Sequence, residues 1–161
     1  MNSAKWGFLM SFSLFGMVVG CASTPAPKGN LVYCSYSNKA TAGGGYNYSE
    51  LINEKGETKV VIARNLECRF AEPEKREYVA TPEDVEALRK IILDSKMYKL
   101  DGYSAHEDMT GGRTYRVHVE FDSGQFITFS WYSHNVKAEA VEAYDAVEAF
   151  FSDFLARQKT K

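Results

Sequence analysis

The chain has few of the groups that usually carry chemistry. Among its 161 residues are three histidines and three cysteines. His106, His118 and His134 show no His-x-x-x-His spacing, which would put two imidazoles on one helix face for a metal. No Gly-x-Ser-x-Gly segment provides a nucleophile elbow. Gly43-Gly44-Gly45 lacks the Gly-Lys-Ser/Thr ending of a phosphate loop and precedes a strand pattern, so no helix N-terminus faces an anion there. No apolar run reaches the roughly 20 residues that cross a bilayer as a helix. An excess of positive charge is also missing, with 19 basic against 21 acidic residues. That balance leaves no electrostatic footprint for nucleic acid. We therefore expect no catalytic residue, no metal site and no cofactor.

The informative feature that is present lies near the N-terminus. Lys5 is followed by an apolar stretch from Trp6 to Val19, diluted by Gly7, Ser11, Ser13 and Gly16. This is the order of a secretory signal. Val18-Val19-Gly20-Cys21 closes it, and Ala22-Ser23-Thr24-Pro25-Ala26-Pro27 follows, a poor helix and a good tether. The tetrapeptide resembles the lipobox of bacterial lipoproteins. That resemblance implies cleavage between Gly20 and Cys21, and acyl chains (palmitate-like) on Cys21. It also implies a place in the cell envelope, on the outer membrane facing periplasm or surface if the cell is Gram-negative. Several acyl chains hold a protein firmly where one holds only marginally, at about 0.8 kcal/mol per buried CH₂.

The expected division is a signal over 1–20, a lipidated cysteine and flexible tether over 21–30, and one globular domain over 31–161. Processing leaves 161 − 20 = 141 residues with net charge 18 − 21 = −3, since Lys5 leaves with the signal. Lipid rather than a basic patch must then hold the membrane. Outside the cytoplasm, the remaining Cys34 and Cys68 are candidates for a disulfide. In a simple meander, however, first and third strands lie two spacings apart, near 9.6 Å. Bridged Cα atoms need to be within ~7 Å. The segment around Cys68 would have to run beside the Cys34 strand.

Strand patterns cover Leu31–Tyr36, Tyr46–Asn53 and Thr58–Ala63, the last able to continue through Cys68 and Phe70, with a short fourth at Glu77–Ala80. Thr81-Pro82-Glu83-Asp84 starts a helix, and Val85, Leu88, Ile91 and Ile92 give it one apolar face. A long connection, Lys99–Gly112, follows. Tyr115, Val117, Val119 and Phe121 then alternate with Arg116, His118 and Glu120 in a strand with one wet face. Asp122-Ser123-Gly124 turns the chain into Gln125–Tyr132. A last helix spans about Val136–Gln158, with Val141, Tyr144, Val147, Phe151, Phe154 and Leu155 as its stripe. The order β-β-β-(β)-α-β-β-α predicts an α+β two-layer sandwich: a mainly antiparallel sheet of five or six strands with two helices on one face. That organisation looks like many small bacterial lipoproteins, a likeness of pattern that carries no function.

The leading expectation is a lipid-anchored, non-enzymatic domain that binds a protein or small ligand near the membrane. A structural or assembly lipoprotein is one alternative. An envelope hydrolase or metal-dependent enzyme using His106, Glu107 or His118 is another, because His118 and Glu120 share a strand face. The tyrosines, including Tyr33, Tyr36, Tyr46, Tyr48, Tyr115 and Tyr132, either fill the core or, in part, form an exposed aromatic face.

Overall fold

The computed structural model describes residues 24–40, 45–65, 74–107, 111–132 and 134–159. Its strands are β1 (Leu31–Ala40), β2 (Tyr46–Glu54), β3 (Glu57–Asn65), β4 (Glu74–Val79), β5 (Ser104–His106), β6 (Arg113–Phe121) and β7 (Phe126–Tyr132). The helices are α1 (Pro82–Asp94) and α2 (Ala138–Gln158), with a short 3-10 turn at Met97–Leu100. The fold is α+β, as the element order predicts. The sheet has seven strands rather than five or six, in the order β4-β3-β2-β1-β6-β7-β5. Every pairing is antiparallel except that of β5 with β7.

The added strand, β5, lies within the segment read from sequence as a connection. It has three residues and no apolar alternation of its own. Gly102 N donates to Thr128 O, Ser130 N to Tyr103 O and Glu107 N to Tyr132 O, so the exposed edge of β7 organises it. The pairing of β1 with β6 closes the centre of the sheet across some eighty residues of chain, from Leu31 opposite Phe121 to Ala40 opposite Arg113.

One face of the sheet carries Cys34, Tyr36, Leu51, Val60, Val117, Val119, Ile127, Phe129 and Trp131, and the helices cover it. Tyr144, Phe151 and Phe154 of α2 meet Tyr36, Trp131 and Tyr78 edge-on or tilted at 5.4–6.2 Å. Their quadrupoles favour these geometries. α1 adds Val85, Leu88 and Ile92. Thr81 and Asp84 form a reciprocal capping box with Pro82 in the first turn. Arg157 near the end of α2 donates to Asp84 at 2.8 Å, so one carboxylate ties the start of one helix to the end of the other. Val141 lies outside the α2 stripe, 37 % exposed, and Ala140, Ala143 and Phe150 take the buried positions instead.

Two expectations change. Lys28–Asn30 is not part of a free tether. Pro27 is buried, and Lys28 N donates to Gln125 Oε1 at 2.7 Å while Ser123 Oγ donates to Lys28 O at 2.7 Å. Asn30 gives its N and Nδ2 protons to Oδ1 and Oδ2 of Asp122 at 2.9 and 2.8 Å, and Arg89 Nε donates to Gly29 O. Secondly, Cys34 is a free thiol, fully buried between Leu51 and Val119. Cys68 lies outside the described residues, as does the proposed continuation of β3. The register shows why the expected bridge meets resistance. Asn65 pairs with Tyr46, and Tyr46 with Lys39, five residues beyond Cys34. That places the end of β3 about 17 Å along and about 9.6 Å across from Cys34. Three further residues reach about 11 Å at full stretch, so a bridge would pull one strand out of the sheet.

Candidate functional site

The second face of the sheet has no described helix over it. Because side chains alternate, the register assigns its rows directly. Val79, Lys59, Ile52, Tyr33, Glu120 and Phe126 form the row nearest the β6–β7 turn. Glu77, Val61, Glu50, Ser35, His118 and Thr128 come next, then Lys75, Ala63, Tyr48, Ser37, Arg116 and Ser130. Tyr46, Lys39 and Thr114 follow. Ser35 and Ser37 are the smallest side chains on β1. They floor a trough between Tyr48 and Glu50 on β2 and His118 and Arg116 on β6, which the Tyr33 side chain crosses beside Ser35 to reach Glu50 and Tyr48.

Two polar clusters stand on the walls. The hydroxyls of Tyr33 and Tyr48 lie 2.8 Å apart, and both donate to Oε2 of Glu50, Tyr33 at 2.7 Å. The Tyr46 ring stacks on Tyr48 at 6.1 Å. Partial burial raises the Tyr48 phenol above the ordinary tyrosine range, and the bond to Glu50 adds to this. Burial likewise raises Tyr33. Both therefore remain protonated donors at physiological pH, which fixes the carboxylate as an acceptor held in place. Across the trough, His118 Nε2 meets Glu120 Oε1 at 2.7 Å and His118 Nδ1 meets Thr128 Oγ1 at 2.6 Å. The imidazole lies 5.8 Å from the Tyr33 ring and 6.5 Å from Phe126. An aromatic ribbon thus runs Tyr46–Tyr48–Tyr33–His118–Phe126 across four strands.

Charge on this face is segregated. Glu50 and Glu120 occupy the rows near the β6–β7 turn, while Arg116, Lys39 and Lys75 occupy the rows beyond. Lys59, in the acidic half, is paired with Glu77 at 3.5 Å. The helical layer offers a contrast. A shallow groove between α1 and α2 is lined mainly by Ala87, Ile91, Ala146 and Ala149, and its Arg157 is already bound to Asp84.

The sequence-predicted site residues fall as follows. Gly20, Cys21 and Cys68 lie outside the described residues. Cys34 is in the core. His106 sits on the β5 edge, opposite Tyr132. Glu107 accepts a bond from His134 N. Neither joins His118, which faces the trough two strands away, opposite Thr128. His118 and Glu120 do meet, as their shared face predicts. The Tyr33–Tyr48–Glu50 cluster was missed. Its one sequence signal is the i, i+2 spacing of Tyr46, Tyr48 and Glu50, which places them on one strand face.

Fold and site together define a small α+β sandwich with one helix-covered face and one face, bare of described helices, of aromatic rings and fixed charges. No protein-family model matches the chain, and no curated protein matches it.

Proposed function

We propose that the protein is a lipid-anchored, extracytoplasmic, non-enzymatic binding domain whose open sheet face takes a protein partner. The anchor rests on Cys21 and the segment before it. The observation that supports the binding surface is its segregated charge: carboxylates beside aromatic rings in one half, cationic side chains in the other. A protein segment with a basic group over Glu50 and Tyr33, and an acidic group over Arg116 and Lys39, is complementary to it. Rings beside a carboxylate favour a cation through their negative faces. The carboxylates at the centre work against a nucleic acid backbone.

The test has two arms. Cys21→Ala should abolish lipid labelling and move the protein out of the membrane fraction; unchanged fractionation refutes the anchor. A photo-crosslinking amino acid at Ser35 should give one discrete adduct in living cells, lost on Glu50→Lys and absent when the crosslinker sits at Glu142 on α2. Equal adducts at both positions, or none at Ser35, refute the face as a binding surface. A stoichiometric adduct that persists through purification supports the assembly-protein form of this reading.

A second reading has one observation in its favour. The imidazole of His118 lies between the Glu120 carboxylate and the Thr128 hydroxyl, the connectivity that activates a nucleophile. The backbone amide of Thr128 itself is committed to Asp101 Oδ1 at 2.9 Å and so does not face a developing oxyanion. Labelling of Thr128 by a fluorophosphonate supports this hydrolytic reading; unlabelled protein removes it.

A further inference from the structure

We infer that the end of the domain bearing the Lys28–Asn30 clamp rests on the lipid surface, with Phe126 as its apolar contact. The inference rests on the lipid anchor proposed above and adds an orientation to it.

The clamp converts the last four residues of the tether into part of the domain. Pro27 is buried, and Lys28 to Asn30 are held by Asp122, Ser123, Gln125 and Arg89. Gly29 makes the close approach possible: its φ is +91°, and a Cβ there would lie 2.1 Å from Asp122 Oδ1. Only five residues separate Cys21 from Pro27, and the six steps between them reach at most about 20 Å. A domain of this size is about 35 Å across. With the clamp turned away from the membrane, the chain would be too short to let the opposite end touch the bilayer and still reach its own anchor. That rules out an inverted domain, and the exposed Val79 and Phe126 at the clamp end select that end over a side-on contact.

That end has a particular character. The β6–β7 turn (Asp122–Gln125), the β2–β3 turn at Lys55–Gly56 and the end of β4 all lie there, since Leu31 pairs with Phe121, Asn53 Nδ2 binds Leu31 O and Val79 pairs with Lys59. The two most exposed large hydrophobic residues described are Val79, at 84 %, and Phe126, at 61 %. Both lie in the row nearest this end, at opposite sides of the sheet. Phe126 directly follows Gln125, which grips Lys28. Charge at the rim is mixed, with Lys28 and Lys55 beside Glu54 and Glu57, so the contact does not depend on anionic lipid. A weak apolar contact suffices because the anchor keeps its local concentration high. The strand ends joined by the β1–β2, β3–β4 and β5–β6 connections then point away from the membrane, and the trough along β1 opens sideways, clear of the lipid.

The test supplies the anchor chemically. The chain from Cys21 onward, carrying Cys68→Ser, is coupled through Cys21 to a maleimide lipid in phosphatidylcholine nanodiscs with spin-labelled headgroups. Among the described residues its core draws on nothing before Pro27, and Cys34 is buried. Amide signals of Lys55–Gly56 and Asp122–Phe126 should lose at least twice the intensity lost by Ala40 and Gly111. Phe126→Ser should reduce that difference. Equal loss at both ends, or greater loss at Ala40 and Gly111, overturns the orientation. An unchanged pattern in Phe126→Ser overturns the role of Phe126. Because the lipid is attached in vitro, none of these results depends on whether cells acylate Cys21, which the Cys21→Ala fractionation decides separately.

Discussion

Replacing Gly29 with alanine is the sharpest test of the clamp. The backbone there has φ +91°, and the new Cβ would meet Asp122 Oδ1 at 2.1 Å. A left-handed conformation costs a residue with a Cβ about 1–2 kcal/mol. Moving the Asp122 carboxylate aside forfeits its two bonds from Asn30, together about 1–2 kcal/mol at an exposed site. Gly29→Ala should therefore destabilise the domain by about 2–4 kcal/mol. Asp122→Ala loses the same two bonds without the backbone strain, about 1–2 kcal/mol. In the double variant those bonds are lost only once, so the coupling between the two substitutions should be about 1–2 kcal/mol. Urea unfolding of the chain from Ala22 onward measures this. Trp131, buried in the core, is its single tryptophan and reports unfolding by fluorescence. A Gly29→Ala cost below about 0.5 kcal/mol, or full additivity in the double variant, refutes the clamp.

Other outcomes follow from the same reasoning. Burial by itself raises the Asp84 carboxyl, but the Thr81 amide, Arg157 and the Thr81 hydroxyl outweigh it and hold the pKa below the usual carboxylate value. That stabilisation is present above about pH 4, the unfolded value, and is lost as pH falls through the lower folded value. Asp84→Asn should cost about 2 kcal/mol at neutral pH and flatten the acid limb of a stability–pH profile; an unchanged limb refutes the assignment. Burial pushes the Cys34 thiol far up, so native protein should resist iodoacetamide at Cys34 and react only in denaturant. Native labelling of Cys34, or a Cys34–Cys68 peptide in a non-reducing map, contradicts its buried free state. Asn38 Nδ2 donates to the Tyr144 hydroxyl at 3.1 Å, while Arg113 donates to Asn38 Oδ1. Tyr144→Phe should cost about 1–2 kcal/mol by leaving that buried amide short of an acceptor; no change in the urea midpoint would show that Asn38 finds another partner.

Local patterns were legible because they depend on near neighbours along the chain. The alternation in Tyr115–Phe121 set which residues face the helices, and Thr81-Pro82-Glu83-Asp84 marked the start of α1 with its reciprocal cap. In α2, by contrast, 3–4-residue spacing places Val141 in the apolar stripe and leaves Ala140, Ala143 and Phe150 out of it. Val141 lies outside because methyl-sized Ala140 and Ala143 occupy the close contacts. β5 escaped notice because three residues without a pattern become a strand only when the β7 edge offers unpaired backbone groups.

By itself, then, the sequence determined an α+β chain with two one-sided helices, a strand with one wet face, and an N-terminal segment resembling a lipoprotein signal. These follow from periodicity, capping and short-range motif chemistry. The tertiary structure alone decided that β1 lies between β2 and β6, which buries Cys34 and leaves it unbridged. It also gathered Tyr33, Tyr48, Glu50, His118 and Glu120 onto the face opposite the helices, and clamped Lys28–Asn30 against a turn more than ninety residues away. Each of these depends on which distant strands pair and in what register, a choice made by the whole core at once and not by any local run of residues.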